Sequence, residues 1–545
     1  MKEYLRAIIR ESLNQFDLSE EEWPEEIEIE KPNQPEHGDA ATNIAMMLAR
    51  LLRNNPRKIA GQIVEQLEYD SGRIEAVEIA GPGFINFRYA QDYLYNELQD
   101  ILKRADTFGR TDTRAGQKML VEFVSANPTG PLTVGHGRNA VLGDTIARLL
   151  EWTGAEVDRE YYFNDAGRQM RVLGESVRAR YLQELGLEAD FPTDGYQGEY
   201  IRDIARALVT ENGDELAECE DVTPFKEKAE ELIFEDIQQT LERMNIRMDS
   251  FFNEHTLYED GSIDNTVEAF REKNLAYDKD GATWFKTTEF GKDTDTVLVK
   301  SSGEPTYRLP DIAYHANKLD RGYDRCIDIF GADHIATYPD VISGIEALGY
   351  DASKVDVVVY QFVTLVKAGK PFKMSTRKAN FVTLDELMDE VGSDVTRFFF
   401  LMRDPNTHLE FDIAEAKEAG EKNPVYYLQY AHARIKSILW KVEEEYTFNE
   451  PPTLDLLTHS AETQLIKTMI RFPEMIESAA AACEPHRLIN YLDDLASDFT
   501  RFYHDCRILG EPQELMQART ALAAAVAQVL ANGLGILGIS APDQM

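Results

Sequence analysis

Apolar residues recur at helical spacing along Tyr4–Phe16, Ala41–Leu52 and Arg57–Gln66, with polar residues between them. A strand-like run, Ile74–Ile79, comes next, then a turn at Gly81-Pro82-Gly83 and a second run, Phe84–Tyr89. Residues 1–108 therefore read as an α+β unit of their own. A stretch rich in Thr, Gly and Arg, Phe108–Gly116, links it to a second unit. Met119–Val124 is a short continuous apolar run of the kind a buried parallel strand carries. A loop stiffened by Pro128 and Pro131 leads to a helix over about Gly137–Trp152, whose apolar stripe includes Leu142, Ile146 and Leu149 and which Gly154 ends. Glu156–Phe163 then reads as a second strand. That order opens a doubly wound, Rossmann-like α/β fold.

The second unit is expected over 109–395. It is interrupted at about 167–253 by a highly charged helical insertion, and strand-like runs at Thr296–Lys300, Arg325–Ile329 and Val355–Tyr360 complete its sheet. From 396 to 545 the periodicity is almost entirely helical, beginning in earnest at Tyr426–Glu445, and predicts a separate bundle. With 545 residues the chain is too long for one core, which agrees with three units.

Charge changes the picture more than size does. There are 97 Asp and Glu against 57 Lys and Arg, a formal charge of −40. The acids are spread along the chain without forming a long block, so an acidic tail is excluded in favour of a solvated acidic surface. Such a surface is suited to high salt, where screening removes its self-repulsion. It also excludes a generic nucleic-acid coat, and any RNA must meet local basic patches. The cysteines, Cys219, Cys326, Cys483 and Cys506, lie far apart with no C-x-x-C pair, so no structural metal is expected and a reducing cytoplasm fits. The N-terminus lacks an apolar signal core. The most apolar stretch, Ala521–Ile539, is broken by Gln528, Asn532, Gly533, Gly535 and Gly538, which predicts a buried terminal helix and no membrane partner.

Two segments carry candidate chemistry. In Gly130–Arg138, Gly135 and Gly137 flank His136 where a strand-following loop opens a helix. Backbone N–H groups and the helix dipole favour an anion there, although an isolated G-H-G also fits a simple helix cap. Far along the chain, KMSTRK (373–378) is a compact basic loop ahead of a helical pattern.

The first segment, SANPTGPLTVGHGRNAVLGD, resembles the HxGH region of class I aminoacyl-tRNA synthetases in its arginyl variant, and KMSTRKANFVTLDELMDEVG resembles the KMSKS loop of the same class. Thr133 stands where the first histidine of HxGH usually does, and Thr376 where the second lysine of KMSKS does. The resemblance implies a HUP-type catalytic domain that binds ATP, with Mg²⁺ as its counter-ion. Pro128, Thr133, Gly135, His136, Gly137, Lys373, Met374, Ser375 and Lys378 would line the ATP site, and His136 and Lys373 would stabilise charge during adenylate formation.

A guanidinium substrate needs planar acceptors and a ring to cover them. Segments similar to the arginyl family supply them. VEFVSAN carries Glu122, Ser125 and Asn127, FFNEHTLYEDG carries Glu254, TYRLPDIAYH carries Tyr307 and Asp311 at i, i+4, and GADH carries His334. The resemblance implies that Glu254, Tyr307 and Asp311 hold the guanidinium, and that Ser125 and Asn127 hold the amino-acid end. By the same resemblance Glu122 and His334 would complete the arginine pocket. HGDAATNIAMMLAR with GPGFINFRY resembles the family's additional N-terminal domain, which contacts the tRNA elbow. NPVYYLQYAHARIKSILWK resembles its anticodon-binding bundle, with Arg434 and Lys436 as the RNA-facing pair. The expected activity is ATP-dependent ligation of L-arginine to tRNA(Arg) by a monomeric enzyme of the cytoplasm.

Overall fold

The computed structural model describes residues 1–16, 23–24, 26–32, 34–165, 167–367, 369–371, 382–418, 420 and 423–545. The N-terminal unit closes a core of its own around Leu5, Ile9, Ile44, Ile59, Ile63 and Phe87. Its antiparallel sheet runs Ala40–Thr42, Phe84–Tyr89, Ile74–Ala80. The helix expected over Ala41–Leu52 is shorter, Ile44–Ala49, because 40–42 pairs as a strand with Ile85–Phe87. Gly38 permits that pairing. It has φ +88°, and a Cβ there would stand 2.6 Å from the Phe87 carbonyl oxygen. The helix Gln91–Arg104 comes after this unit in sequence but packs elsewhere. Leu94, Leu98 and Ile101 enter the large core shared with the C-terminal bundle, and the Tyr95 hydroxyl donates to the Leu457 carbonyl at 3.2 Å.

The central sheet has five parallel strands: β1 (Lys118–Glu122), β2 (Glu156–Phe163), β3 (Ser250–Asn253), β4 (Arg325–Gly331) and β5 (Val355–Tyr360). Their order is β5-β4-β1-β2-β3. The order reverses between β1 and β4, which opens a crevice at their carboxyl ends. α1 (Val134–Trp152) crosses from β1 to β2. The insertion is helical as the charge pattern suggests: Arg168–Glu184, Glu199–Asn212 and α2 (Thr223–Arg243). Two further helices bear on the site, α3 (Arg308–Asp320) and α4 (Leu384–Val391).

One strand expected in the main sheet is not there. Thr296–Val299 belongs to an antiparallel meander with Ala276–Lys279 and Ala282–Phe285. The tight turn that starts this meander is Asp280-Gly281, with φ of 55° and 78°, the left-handed pair that two-residue hairpins require. The edge position in the main sheet goes instead to β3, whose Phe252 stacks on Tyr162 while Phe251 packs against Tyr161 and Phe234.

Residues 396–416, grouped with the bundle by periodicity, are built onto the catalytic unit. Leu409–Asp412 pairs in parallel with Val363–Lys367, and buried Arg397 bonds Asp144 of α1 at 2.6 Å and the Leu537 carbonyl at 2.8 Å. The bundle proper comprises Pro424–Glu445, Ser460–Met469, Phe472–Ala482, His486–Asp505 and α5 (Gln513–Ile536). α5 is long and apolar enough to cross a membrane, but most of that apolar window is buried inside the protein. Its Asn532 amide donates to the carbonyls of Ala105 at 2.9 Å and Phe108 at 3.0 Å.

Candidate active site

The crevice at the β1–β4 switch is shaped by backbone that few residues adopt. Val124 and Ser125 have φ of 66° and 39°, a conformation disfavoured for a β-branched residue and kept only where surroundings impose it. Asn139 of α1 imposes it. Its Oδ1 accepts from the Val124 N–H at 2.6 Å while its Nδ2 donates to the Ile329 carbonyl of β4 at 2.8 Å. Sequence reasoning passed over Asn139, whose position inside a helical stripe gave no signal.

Downstream of this bend, Pro128 is buried and Asn127 is exposed. Thr133 is the N-cap of α1, and its N–H donates to His136 Nδ1 at 3.1 Å. The His136 ring is half-buried, and burial pushes its pKa down. A neutral ring that accepts at Nδ1 carries its proton on Nε2, which leaves one N–H donor for an oxyanion at the helix N-terminus. Gly135 keeps the approach open, since a Cβ there would meet nothing nearer than Thr133 Oγ1 at 3.7 Å. Gly137 serves a different end from the one expected. A Cβ on it would stand 2.6 Å from Leu384 and 2.9 Å from Phe400, so this glycine lets α1 pack on its neighbours.

The loop before α1 is paired with the start of α4. Thr133 and Thr383 form a backbone bridge, the Leu384 N–H donates to the Leu132 carbonyl at 2.8 Å, and the Val134 N–H to Val382 at 3.4 Å. Lys373, Met374, Ser375 and Lys378, with Thr376, lie outside the described residues.

On the other side of β1, α3 lines up Asp311, His315 and Lys318 on one face. Lys318 is fully buried and pairs with Glu122 and, at 2.6 Å, with Asp328 of β4; His315 Nε2 lies 2.8 Å from the other Asp328 oxygen. Against the cost of burial, the Lys318 charge and the contact with His315 hold the Asp328 carboxyl far below the usual carboxylate range. Glu122 also accepts from the Ser125 hydroxyl at 2.8 Å, and that hydroxyl in turn accepts from the Tyr162 N–H at 3.1 Å. Glu122 is thus taken up by Lys318 and Ser125. It supports the bend from behind, with one partner on each carboxylate oxygen.

Buried Glu254 and half-buried Asp311 lack, among the described residues, the cation that most buried acids nearby have. Glu160 has Arg321 at 2.6 Å, Asp144 has Arg397 at 2.6 Å, and Glu122 and Asp328 share Lys318. Among the described residues neither Glu254 nor Asp311 has an ion-pair partner. Glu254 is buried and accepts from the Tyr162 hydroxyl at 2.8 Å and the Tyr258 hydroxyl at 3.5 Å. Burial raises its pKa, and burial raises that of Asp311 to about 7, with the charges of Glu122 and Glu254 adding to the latter. Two desolvated carboxyl groups that repel each other, ringed by phenols, are a receptacle for a planar cation.

Tyr307 is the N-cap of α3, one turn before Asp311, and is 73% exposed, so it is not packed into this receptacle. His334 lies in the short turn after β4, stacked on Phe330 at 5.3 Å and 3.7 Å from Asp333. In the bundle, Arg434 is exposed and lies over the Tyr503 ring at 4.6 Å, while Lys436 pairs with Asp543 at 3.6 Å.

Three family models match successive parts of the chain: the arginyl tRNA synthetase N terminal domain over 3–89, the class I (R) tRNA synthetase catalytic domain over 97–416, and the DALR anticodon binding domain over 428–545. An arginine–tRNA ligase from Salinibacter ruber is 56% identical over the full length of both chains. One from Desulfotalea psychrophila is 52% identical over 95% of this chain and 94% of its own. Among solved structures, the Thermus thermophilus arginyl-tRNA synthetase superposes over all of both chains with a TM-score of 0.79 at 22% identity, which speaks to the fold alone.

Proposed function

The chain belongs to the arginyl-tRNA synthetase family, and on that premise we propose how its residues carry out the ligation of L-arginine to tRNA(Arg). The reaction has two steps. The arginine carboxylate attacks the α-phosphorus of ATP and pyrophosphate leaves. The terminal ribose hydroxyl of the tRNA then attacks the arginyl carbonyl and displaces AMP.

The observation that carries this reading is the unpaired acid set. Glu254 and Asp311 take the guanidinium through paired N–H bonds, with Tyr307 over it, and Ser125 and Asn127 at the bend receive the amino-acid end. That orientation points the arginine carboxylate toward the loop before α1. There His136 donates from Nε2 to a phosphate oxygen while the open approach at Gly135 admits the nucleotide. Lys373, with Met374, Ser375 and Lys378, supplies further contacts to the phosphates, as in the KMSKS loop this segment resembles, and Mg²⁺ enters with ATP as its counter-ion. Catalysis is then positioning and charge stabilisation without a covalent enzyme intermediate. Arg434 and Lys436 meet the tRNA, and the enzyme acts as a cytoplasmic monomer.

The test is ATP–pyrophosphate exchange in the presence of tRNA, run with each amino acid in turn. Exchange with arginine alone is expected. Exchange with glutamate or cysteine, or none with any amino acid, would overturn the reading.

A further inference from the structure

The charged insertion is joined to the nucleotide loop at two points, and neither is part of the chemistry described above. A cleft of about 410 Å³ lies between them, walled by Tyr200, Ile204 and Thr240 on the insertion side and by Pro131, Thr383 and Asp385 on the other. Arg243, the last residue of α2, spans it. Its guanidinium pairs with Asp385 and, at 2.5 Å, with Asp389, both on α4, while Thr240 one turn earlier donates to the second Asp385 oxygen. α4 is itself fastened to the loop through the Thr133–Thr383 bridge, the Leu384–Leu132 hydrogen bond and the seat of Leu384 on Gly137. At the other point the Tyr200 hydroxyl donates to the Thr129 carbonyl at 2.6 Å, close enough to Gly130 that a Cβ there would meet it at 2.9 Å.

We propose that Arg243 is a positioning residue for ATP, holding α4 and with it the capped start of α1, while Tyr200 holds the loop at Thr129. Geometry and charge both favour this role. Thr240 and Arg243 between them engage both oxygens of Asp385, which fixes the carboxylate in one orientation where a lone lysine contact would not. In a chain of formal charge −40, Arg243 also neutralises Asp385 and Asp389, two acids one turn apart on α4. Without it, α4 loses its ion pairs to the insertion. The arginine receptacle is built on β2, β3 and α3, away from this corner, so the effect falls on one substrate.

The inference rests on the ATP-handling reading of the loop, and the assay separates the two. Arginine-dependent exchange is measured for the natural protein, then for Arg243→Ala, Arg243→Lys, Arg243→Asp and the swap Arg243→Asp/Asp385→Arg. Arg243→Ala is expected to raise KM for ATP about three- to tenfold, with KM for arginine within about twofold and the melting temperature little changed. Lysine restores part of the loss, and the swap restores more than Arg243→Asp alone. Parallel rises in both KM values, an unchanged KM for ATP, or a swap no better than the single reversal would each overturn the proposal. Should Arg243→Ala fail to fold, Tyr200→Phe, which removes one hydroxyl, must show the same split or the proposal falls. Absence of exchange in the natural protein would instead count against the function itself.

Discussion

The Tyr162 hydroxyl donates to Glu254 at 2.8 Å, and it is the shortest hydrogen bond holding that otherwise unpaired carboxylate in place. The Tyr162 ring is independently fixed, stacked on Phe252 and lying 4.5 Å from Tyr314. Tyr162→Phe therefore removes the donor without moving the ring. We expect KM for arginine to rise about tenfold, the worth of a hydrogen bond to a charged group, with KM for ATP unchanged. Steady-state exchange with each substrate varied in turn checks it, and an unaltered arginine KM would show that the Tyr162 bond does not orient Glu254 for the substrate.

Asp311 gives arginine binding a pH dependence. Its folded pKa is raised to about 7, so the empty pocket holds a proton there below that value, and the folded form loses stability as pH rises from the ordinary carboxylate range toward 7. Arginine must displace the proton. Its affinity is expected to rise with pH up to about 7 and then level off, and binding below pH 7 releases a proton. Calorimetry in buffers of different ionisation enthalpy measures that proton. Asp311→Asn should abolish it and weaken arginine far more than ATP.

Lys318 neutralises two buried carboxylates at once. Lys318→Met keeps the length of the side chain but leaves Glu122 and Asp328 facing each other without a cation, at a cost of about 3–5 kcal/mol. In the natural protein the Asp328 carboxyl, held low, stabilises the fold above its unfolded pKa, and that contribution is lost as pH falls through its folded value. The gap between the two proteins should therefore narrow in acid, as denaturant unfolding at several pH values would reveal.

Salt should matter as much as pH. Beside Phe163 and Phe234 a cleft of about 610 Å³ gathers Asp165, Glu227, Glu230, Glu231 and Glu259, and burial together with the Asp165 charge raises the Glu230 pKa. Such repulsion is screened when the Debye length shrinks from about 10 Å at 0.1 M salt to about 3 Å at 1 M. The melting temperature is expected to fall on dilution into low salt, and Glu230→Gln should reduce that fall. A melting temperature independent of salt would refute a salt-adapted surface.

The β1–α1–β2 unit was legible because a continuous apolar run, a glycine-bearing loop and a helical stripe each have one structural reading. Thr296–Val299 was not, since a short apolar run looks the same in a parallel sheet and in a meander, and the Asp280-Gly281 turn that decides between them was passed over. β3 was hidden at the end of a charged insertion. Spacing placed Asp311 on α3, but nothing singled out His315 or Lys318, because sequence carries no mark of a buried cation such as Lys318. Gly137 shows a further limit. A glycine that admits a phosphate and a glycine that admits a leucine are the same letter, and the space around it decides.

The bond from Asn532 to the Ala105 and Phe108 carbonyls fixes how the molecule comes apart. It ties the last long helix to the linker ahead of β1, inside one core that runs without a break from the parallel sheet through the bundle, whereas the cluster around Ile9, Ile44 and Phe87 is closed on itself. Heating should therefore release the first ninety or so residues as one cooperative block, separately from the core that joins the parallel sheet to the bundle. The boundary between foldons lies near Tyr89, not where catalytic and RNA-facing chemistry divide, so the halves that do different work survive or fail together.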